Sequence, residues 1–268
     1  MTPRLPRLLV AAPLLVTAVA TPLAVGGSPA QDGAGDDLAA EGRQLYLTGC
    51  ASCHGPEGEG VETSDDGTRG PSLVRSGEAG AYYYLSTGRM PMASSEEQPV
   101  RKPPAYSPEE IDALVAYVAS LGDGPALPDV DVGAGDTAAG GVVYRANCQA
   151  CHSASGSGGA LSYGRAAPRL SDATPSQIGA AVRIGPGQMP VFGPDTIDGE
   201  ALDDLARYVE YLRAPEDPGG VPIGRTGPIP EGFVAWLVGM PALLALVAWI
   251  GTRSPVRRRP QTADGAHD

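Results

Sequence analysis

Two five-residue strings, Cys50-Ala51-Ser52-Cys53-His54 and Cys148-Gln149-Ala150-Cys151-His152, constrain this 268-residue chain more than anything else in it, and they use all four of its cysteines. Two thiols three positions apart reach the two vinyl groups of one porphyrin and form thioethers. The histidine directly after the second thiol then lies beneath the iron. Each string therefore reads as an attachment site for haem c. The chain is expected to hold two covalently bound haem c through Cys50, Cys53, Cys148 and Cys151, with His54 and His152 on the irons. Competing readings fit less well. A zinc site gathers four ligands in one neighbourhood, whereas these pairs stand 98 residues apart. A thioredoxin-like pair calls for a βαβ setting that the sequence pattern lacks. Two local disulfides would leave both histidines unexplained.

The surroundings repeat as well. Gly42, Tyr46, Cys50, Cys53 and His54 match Gly140, Tyr144, Cys148, Cys151 and His152 at an offset of 98. Further on, Leu114, Tyr117, Val118 and Leu121 match Leu205, Tyr208, Val209 and Leu212 at an offset of 91. A shared period of this kind means two copies of one domain. The shorter later offset gives the first copy seven extra residues, expected in the Pro- and charge-rich stretch 93–106. The copies are assigned to 38–122 and 137–213, with linkers at 123–136 and 214–231.

Methionine is scarce, and its placement names the second axial ligand. Gly88-Arg89-Met90-Pro91 matches Gly187-Gln188-Met189-Pro190, so Met90 stands 40 residues after Cys50 and Met189 stands 41 after Cys148. Met189 is assigned to the second iron and Met90 to the first, with Met92 as the alternative to Met90. A thioether opposite histidine raises the iron's potential and fills its last coordination position. No catalytic residue is expected, since an iron closed on both sides is left with outer-sphere electron transfer.

Local patterns predict small helical domains. One helix runs into each cysteine string, over 38–49 and 137–147, followed by a glycine-rich loop. Pro71 and Pro168 are expected to turn a loop carbonyl toward the histidine N–H, the usual support of a ligating imidazole. Ser107-Pro108-Glu109-Glu110 reads as an N-cap, a proline at the first helical position and a capping box. Tyr117 and Tyr208 are expected where the first and last helices of each copy cross. Tyr82-Tyr83-Tyr84 stands out in a chain with 5% aromatics and 2 Phe, and is compatible with a haem-edge cover or a docking surface. So few bulky residues exclude a large aromatic core.

The ends set the compartment. Residues 1–30 carry Arg4 and Arg7, an uncharged apolar stretch and then small residues, the pattern of a signal peptide or signal-anchor. Residues 232–251 contain no charge and are long enough to cross a bilayer. Arg253 and Arg257-Arg258-Arg259 follow, which predicts a single C-terminal span with tail 252–268 cytoplasmic and both copies outside the cytoplasm. With 31 acidic against 19 basic residues and a formal charge of −12, nucleic acid is excluded as a natural partner.

On these motifs the chain resembles class I cytochromes c arranged in tandem: mainly α, two domains plus a C-terminal transmembrane helix. The whole layout is similar to the diheme cytochrome c subunits of actinobacterial menaquinol–cytochrome c reductases, the bc1 complexes. The resemblance implies a Rieske iron–sulfur subunit and a cytochrome b subunit as partners. It also implies a route from the Rieske centre through haem 1 and haem 2 to an aa3-type oxidase in the cell membrane. The chain itself would be an electron-transfer subunit with no substrate-converting site. The alternative is a membrane-anchored acceptor for an exported dehydrogenase, independent of a bc1 complex. A haem-based sensor is disfavoured, because only 17 residues follow residue 251.

Overall fold

The computed structural model describes residues 31–62, 68–93, 98–215 and 228–253. The expected signal segment 1–30, positions 94–97 of the extra stretch, linker residues 216–227 and tail residues 254–268 lie outside the described residues.

Each copy is built from the same parts at the same spacing. In the first, α1 (Gln31–Gly49) runs to Cys50 and the single turn α2 (Ala51–His54) presents the histidine. Strands β1 (Val61–Glu62) and β2 (Thr68–Gly70) follow, then α3 (Gly77–Ser86) and α4 (Pro108–Ser120). In the second, α5 (Thr137–Asn147) and α6 (Gln149–His152) lead into β3 (Gly159–Ala160), a 3₁₀ turn (Ser162–Gly164) and β4 (Ala166–Ala167). Helices α7 (Pro175–Ile184) and α8 (Gly199–Arg213) complete it. Two details differ from the sequence expectation. Helix α1 begins at Gln31 rather than 38. The glycine-rich loops close into two-stranded antiparallel ladders, β1 on β2 and β3 on β4, which pair backbone groups of the returning chain.

The first and last helices of each copy cross at a glycine. A Cβ on Gly42 would overlap the Ala113 carbonyl, and a Cβ on Gly140 would overlap that of Asp204. Backbones this close bring the tyrosines together: Tyr46 and Tyr117 have ring centroids 5.0 Å apart, and Tyr144 and Tyr208 5.3 Å. Both inner rings, Tyr46 and Tyr144, are fully buried. Around them lie Leu114 and Val118 in one copy, Leu205 and Val209 in the other. Helix α4 opens with the capping box of Ser107 and Glu110, and α8 with Asp198, whose carboxylate accepts from Ala201 N–H.

The stretch between α3 and α4 covers 21 residues, 87–107, against 14 between α7 and α8, 185–198. The seven extra residues therefore fall in the segment where the repeat offset changes. That segment folds back on the Met90 loop. Lys102 N–H donates to Thr87 O at 3.2 Å, and Lys102 Nζ donates to Pro91 O at 2.6 Å.

The two copies pack on each other along α3 and α7, where Ala79, Tyr83 and Ala180 form a small buried cluster joined by Leu127 of the linker. That linker has no sequence periodicity, yet the structure docks it at both ends. Ala79 N–H donates to Pro125 O, Leu127 N–H to Glu78 Oε2 and Asp131 N–H to Asp203 Oδ1.

At the C-terminus, α9 (Pro228–Val234), a π turn (Ala235–Gly239) and α10 (Met240–Arg253) form one continuous rod. The wide turn has a local cause. Pro241 has no N–H to give the preceding turn, and Met240 N–H reaches back five residues to Ala235 O. The chain accommodates Pro241 as this π turn. Among the described residues Ile229–Arg253 is one helix long and apolar enough to cross a membrane. Its apolar side chains face outward, Trp236 at 68% exposed and Leu243 at 57%. Arg253 stacks its guanidinium 4.1 Å from the Trp249 ring centroid near the cytoplasmic end expected from sequence.

Candidate haem sites

The second copy encloses a cavity that brings the four predicted residues together. Cys148, Cys151, His152 and Met189 all line it, with Leu170, Ile178, Val182, Phe192, Leu205 and Val209 supplying apolar walls. His152 is buried, and its Nδ1–H donates to the Pro168 carbonyl at 2.9 Å. A carbonyl only accepts, so the proton sits on Nδ1 and Nε2 keeps its lone pair. Burial lowers the His152 pKa from 6.5, with the Pro168 bond opposing, which favours the neutral ring that a metal requires. Burial, helped by the neighbouring Cys151 sulfur, pushes the Cys148 thiol up to about 11.

The first copy repeats this support. His54 Nδ1–H donates to Pro71 O at 2.7 Å. Met90 and Cys50 pack against the same buried cluster of Tyr46, Leu85 and Leu114. Met92 is half-buried two residues on and is not among the residues packed against that cluster. Burial and then the Cys53 sulfur push the Cys50 thiol up to about 11, while a hydrogen bond from Tyr106 opposes them. Behind each histidine a tyrosine hydroxyl ties down the turn that follows: Tyr46 donates to Gly55 O and Tyr144 to Ser153 O, both at 2.7 Å. Gly70 is held by proximity, since a Cβ there would collide with the Cys53 carbonyl and crowd His54 Nδ1.

The second cavity has an outer wall that sequence reasoning did not assign. Tyr83, Tyr84, Arg89, Gln98, Pro99 and Arg101 line it, and all belong to the first copy. Gln98 grips Ala166 from both sides, with Nε2 donating to its carbonyl at 3.0 Å and Oε1 accepting from its N–H at 3.2 Å. Arg101 donates to Gln177 Oε1 at 2.6 Å, and Gln177 donates in turn to Ser86. The tyrosine run therefore covers the other copy's cavity. The signals available in the sequence were the odd aromatic run and the stretch that breaks the repeat.

The donor set fits a covalently held haem: an apolar cavity, two sulfurs on its wall, and an imidazole whose outer nitrogen is anchored. Comparison with known proteins agrees. Residues 39–122 match the model of the cytochrome c family, and residues 135–209 match that of "Cytochrome C oxidase, cbb3-type, subunit III". The cytochrome bc1 complex cytochrome c subunit of Mycobacterium tuberculosis is 42% identical over 221 residues, covering 80% of this chain and 77% of the relative. That of Corynebacterium diphtheriae is 36% identical over 263 residues, covering 92% and 91%. The chain belongs to the family of cytochrome bc1 complex cytochrome c subunits. It is mainly helical, with two cytochrome c domains and two covalently bound haem c. Its apolar C-terminal helix fits a membrane anchor.

Proposed function

We propose that the chain is a membrane-anchored, two-haem electron carrier within a quinol–cytochrome c reductase. Electrons pass from a Rieske centre to the haem of the first copy, then to that of the second, then to a terminal oxidase of the aa3 type. Its relatives are named as cytochrome c subunits of a bc1 complex, which supports membership of an oxidoreductase complex. The remaining partners in this reading are the Rieske and cytochrome b subunits. Both haem domains lie outside the cytoplasm and the tail after Arg253 lies inside.

The observation that carries the reading is the shared cavity of His152 and Met189 beside Cys148 and Cys151. Cys50 and Cys53 hold one haem and Cys148 and Cys151 the other. His54 with Met90, and His152 with Met189, would ligate the two irons. A haem so ligated exchanges single electrons without binding a substrate. The chain's own residues then have plain tasks. Pro71 and Pro168 fix the proton on Nδ1 and orient each imidazole. Leu170, Ile178, Val182 and Phe192 keep water from the second site. The α3–α7 seam holds the two copies side by side.

A reduced-minus-oxidised difference spectrum of the tagged protein, purified from its own membranes in mild detergent, tests the assignment. Haem b and haem c together in comparable amounts are expected, with haem a added if the oxidase stays bound. Haem c alone in several detergents would instead favour the acceptor of an exported dehydrogenase. The serial route is tested separately: Met189→Leu should abolish quinol-to-oxygen flux, and flux that persists would overturn it.

A further inference from the structure

In a chain with 31 acidic residues, the wall of the second copy's cavity carries four arginines and, among the described residues, no carboxylate. Two of them, Arg165 and Arg169, come from the second copy's own exposed loop. The other two, Arg89 and Arg101, reach in from the first copy. Arg89 is only 7% exposed, and its Nη1 has no hydrogen-bond partner among the described residues. Its guanidinium lies 4.9 Å from the Tyr83 ring centroid. Neither Arg89 nor Arg101 makes a salt bridge among the described residues. Two guanidinium groups so placed repel each other, and Arg89 adds to the partial desolvation that lowers the Arg101 pKa, with Asp172 and Tyr83 opposing.

Burying a cation with an unsatisfied donor is costly unless an anion meets it. Haem c supplies such anions: its two propionate carboxylates stand at one edge of the ring. Guanidinium is the side chain best matched to a carboxylate, with parallel N–H donors and a charge that persists when desolvated.

We propose that Arg89 and Arg101, contributed by the first copy, bind the propionate carboxylates of the haem carried by the second. The inference rests on the haem of the second copy and not on the electron route or the axial methionines. It makes the first copy part of the second haem's binding site. It also gives the seven extra residues a task, since Arg101 lies in the stretch they enlarge. Gln188, which stands where Arg89 stands in the repeat, carries no charge.

A carboxylate near the iron favours the ferric state, and a guanidinium paired with it offsets that effect. Neutralising the arginines should therefore lower the second haem's potential. The test is a redox titration of the full-length, haem-loaded protein in detergent. The step that disappears in a Cys148→Ala, Cys151→Ala variant belongs to the second haem, whichever ligand completes the iron. In Arg89→Gln with Arg101→Gln that step should move to lower potential by about tenfold in the reduction equilibrium, about 59 mV for one electron. The first haem's step should stay in place. Arg101→Lys, which keeps the charge, should recover most of the Arg101→Gln shift, an outcome that a packing role would not give. If Arg89→Gln fails to load haem, Arg101→Gln alone carries the test, because Arg101 is exposed at the cavity rim. An unmoved second step in a fully loaded Arg101→Gln variant would overturn the proposal. A wrong axial ligand shows separately, as unmoved steps in Met189→His.

Discussion

The two copies place equivalent helices, crossings and histidine supports at equivalent positions, but they differ in how their surroundings are completed. In the second, the cavity is closed in part by Tyr83, Tyr84, Arg89, Gln98 and Arg101 of the first. The stretch that supplies Gln98 and Arg101 is the one enlarged by seven residues, where the repeat offset changes. What breaks the internal symmetry is therefore also what joins the halves. A duplicated domain can be kept at the level of its cofactor while the second copy comes to depend on the first for its wall.

The strongest way to test that dependence is to empty one site at a time. Cys50→Ala with Cys53→Ala, and separately Cys148→Ala with Cys151→Ala, should each reduce haem c from two to one per chain, read by pyridine haemochrome absorbance. Loss of both haems from either double variant would mean that the sites load as a unit. Next in size come the methionines. Met90→Leu should lower the first haem's potential and Met92→Leu should leave it unchanged. The reverse result would exchange their roles and break the alignment of the Met-Pro pairs.

A smaller effect is expected at the helix crossings, where the copies are most alike. Gly42→Ala and Gly140→Ala each force a methyl into a facing carbonyl and should destabilise by about 1–3 kcal/mol. Thermal melting that distinguishes the two strongly would show that the crossings are not equivalent. The smallest change is at the seam. Gln177 is 6% exposed, accepts from Arg101 and donates to Ser86, while its counterpart in the first copy is Ala79. Gln177→Ala should cost about 1 kcal/mol and speed amide exchange in α3 and α7 ahead of α4 and α8. Uniform exchange in all four helices would mean that the seam contributes little.

Most of what lies within a copy was legible in the sequence, because the repeat reported it twice. The Pro71 and Pro168 carbonyls do receive the histidine N–H groups, Tyr117 and Tyr208 do meet Tyr46 and Tyr144, and Ser107 does open α4 with a capping box. Each of these depends on local spacing or on residues fixed by the same period. Contacts between copies have no such signature. The destination of Tyr83 and Tyr84, the docking of linker residues Pro125 and Leu127, and the burial of Arg89 depend on how two similar bodies meet. The cost of a buried cation is a property of that meeting and not of the string Gly88-Arg89-Met90. The short strands have no such signal for a different reason: two or three residues are too few to show alternation.

The closed seam between α3 and α7 has a kinetic consequence. Tunnelling falls off steeply with the gap between redox centres, and a mobile carrier meets that gap only during collisions. Here Ala79, Tyr83 and Ala180 leave no solvent layer at the centre of the contact. In the proposed serial route an electron crossing it would need no encounter, so that step should have neither the concentration dependence nor the ionic-strength dependence of a diffusional exchange.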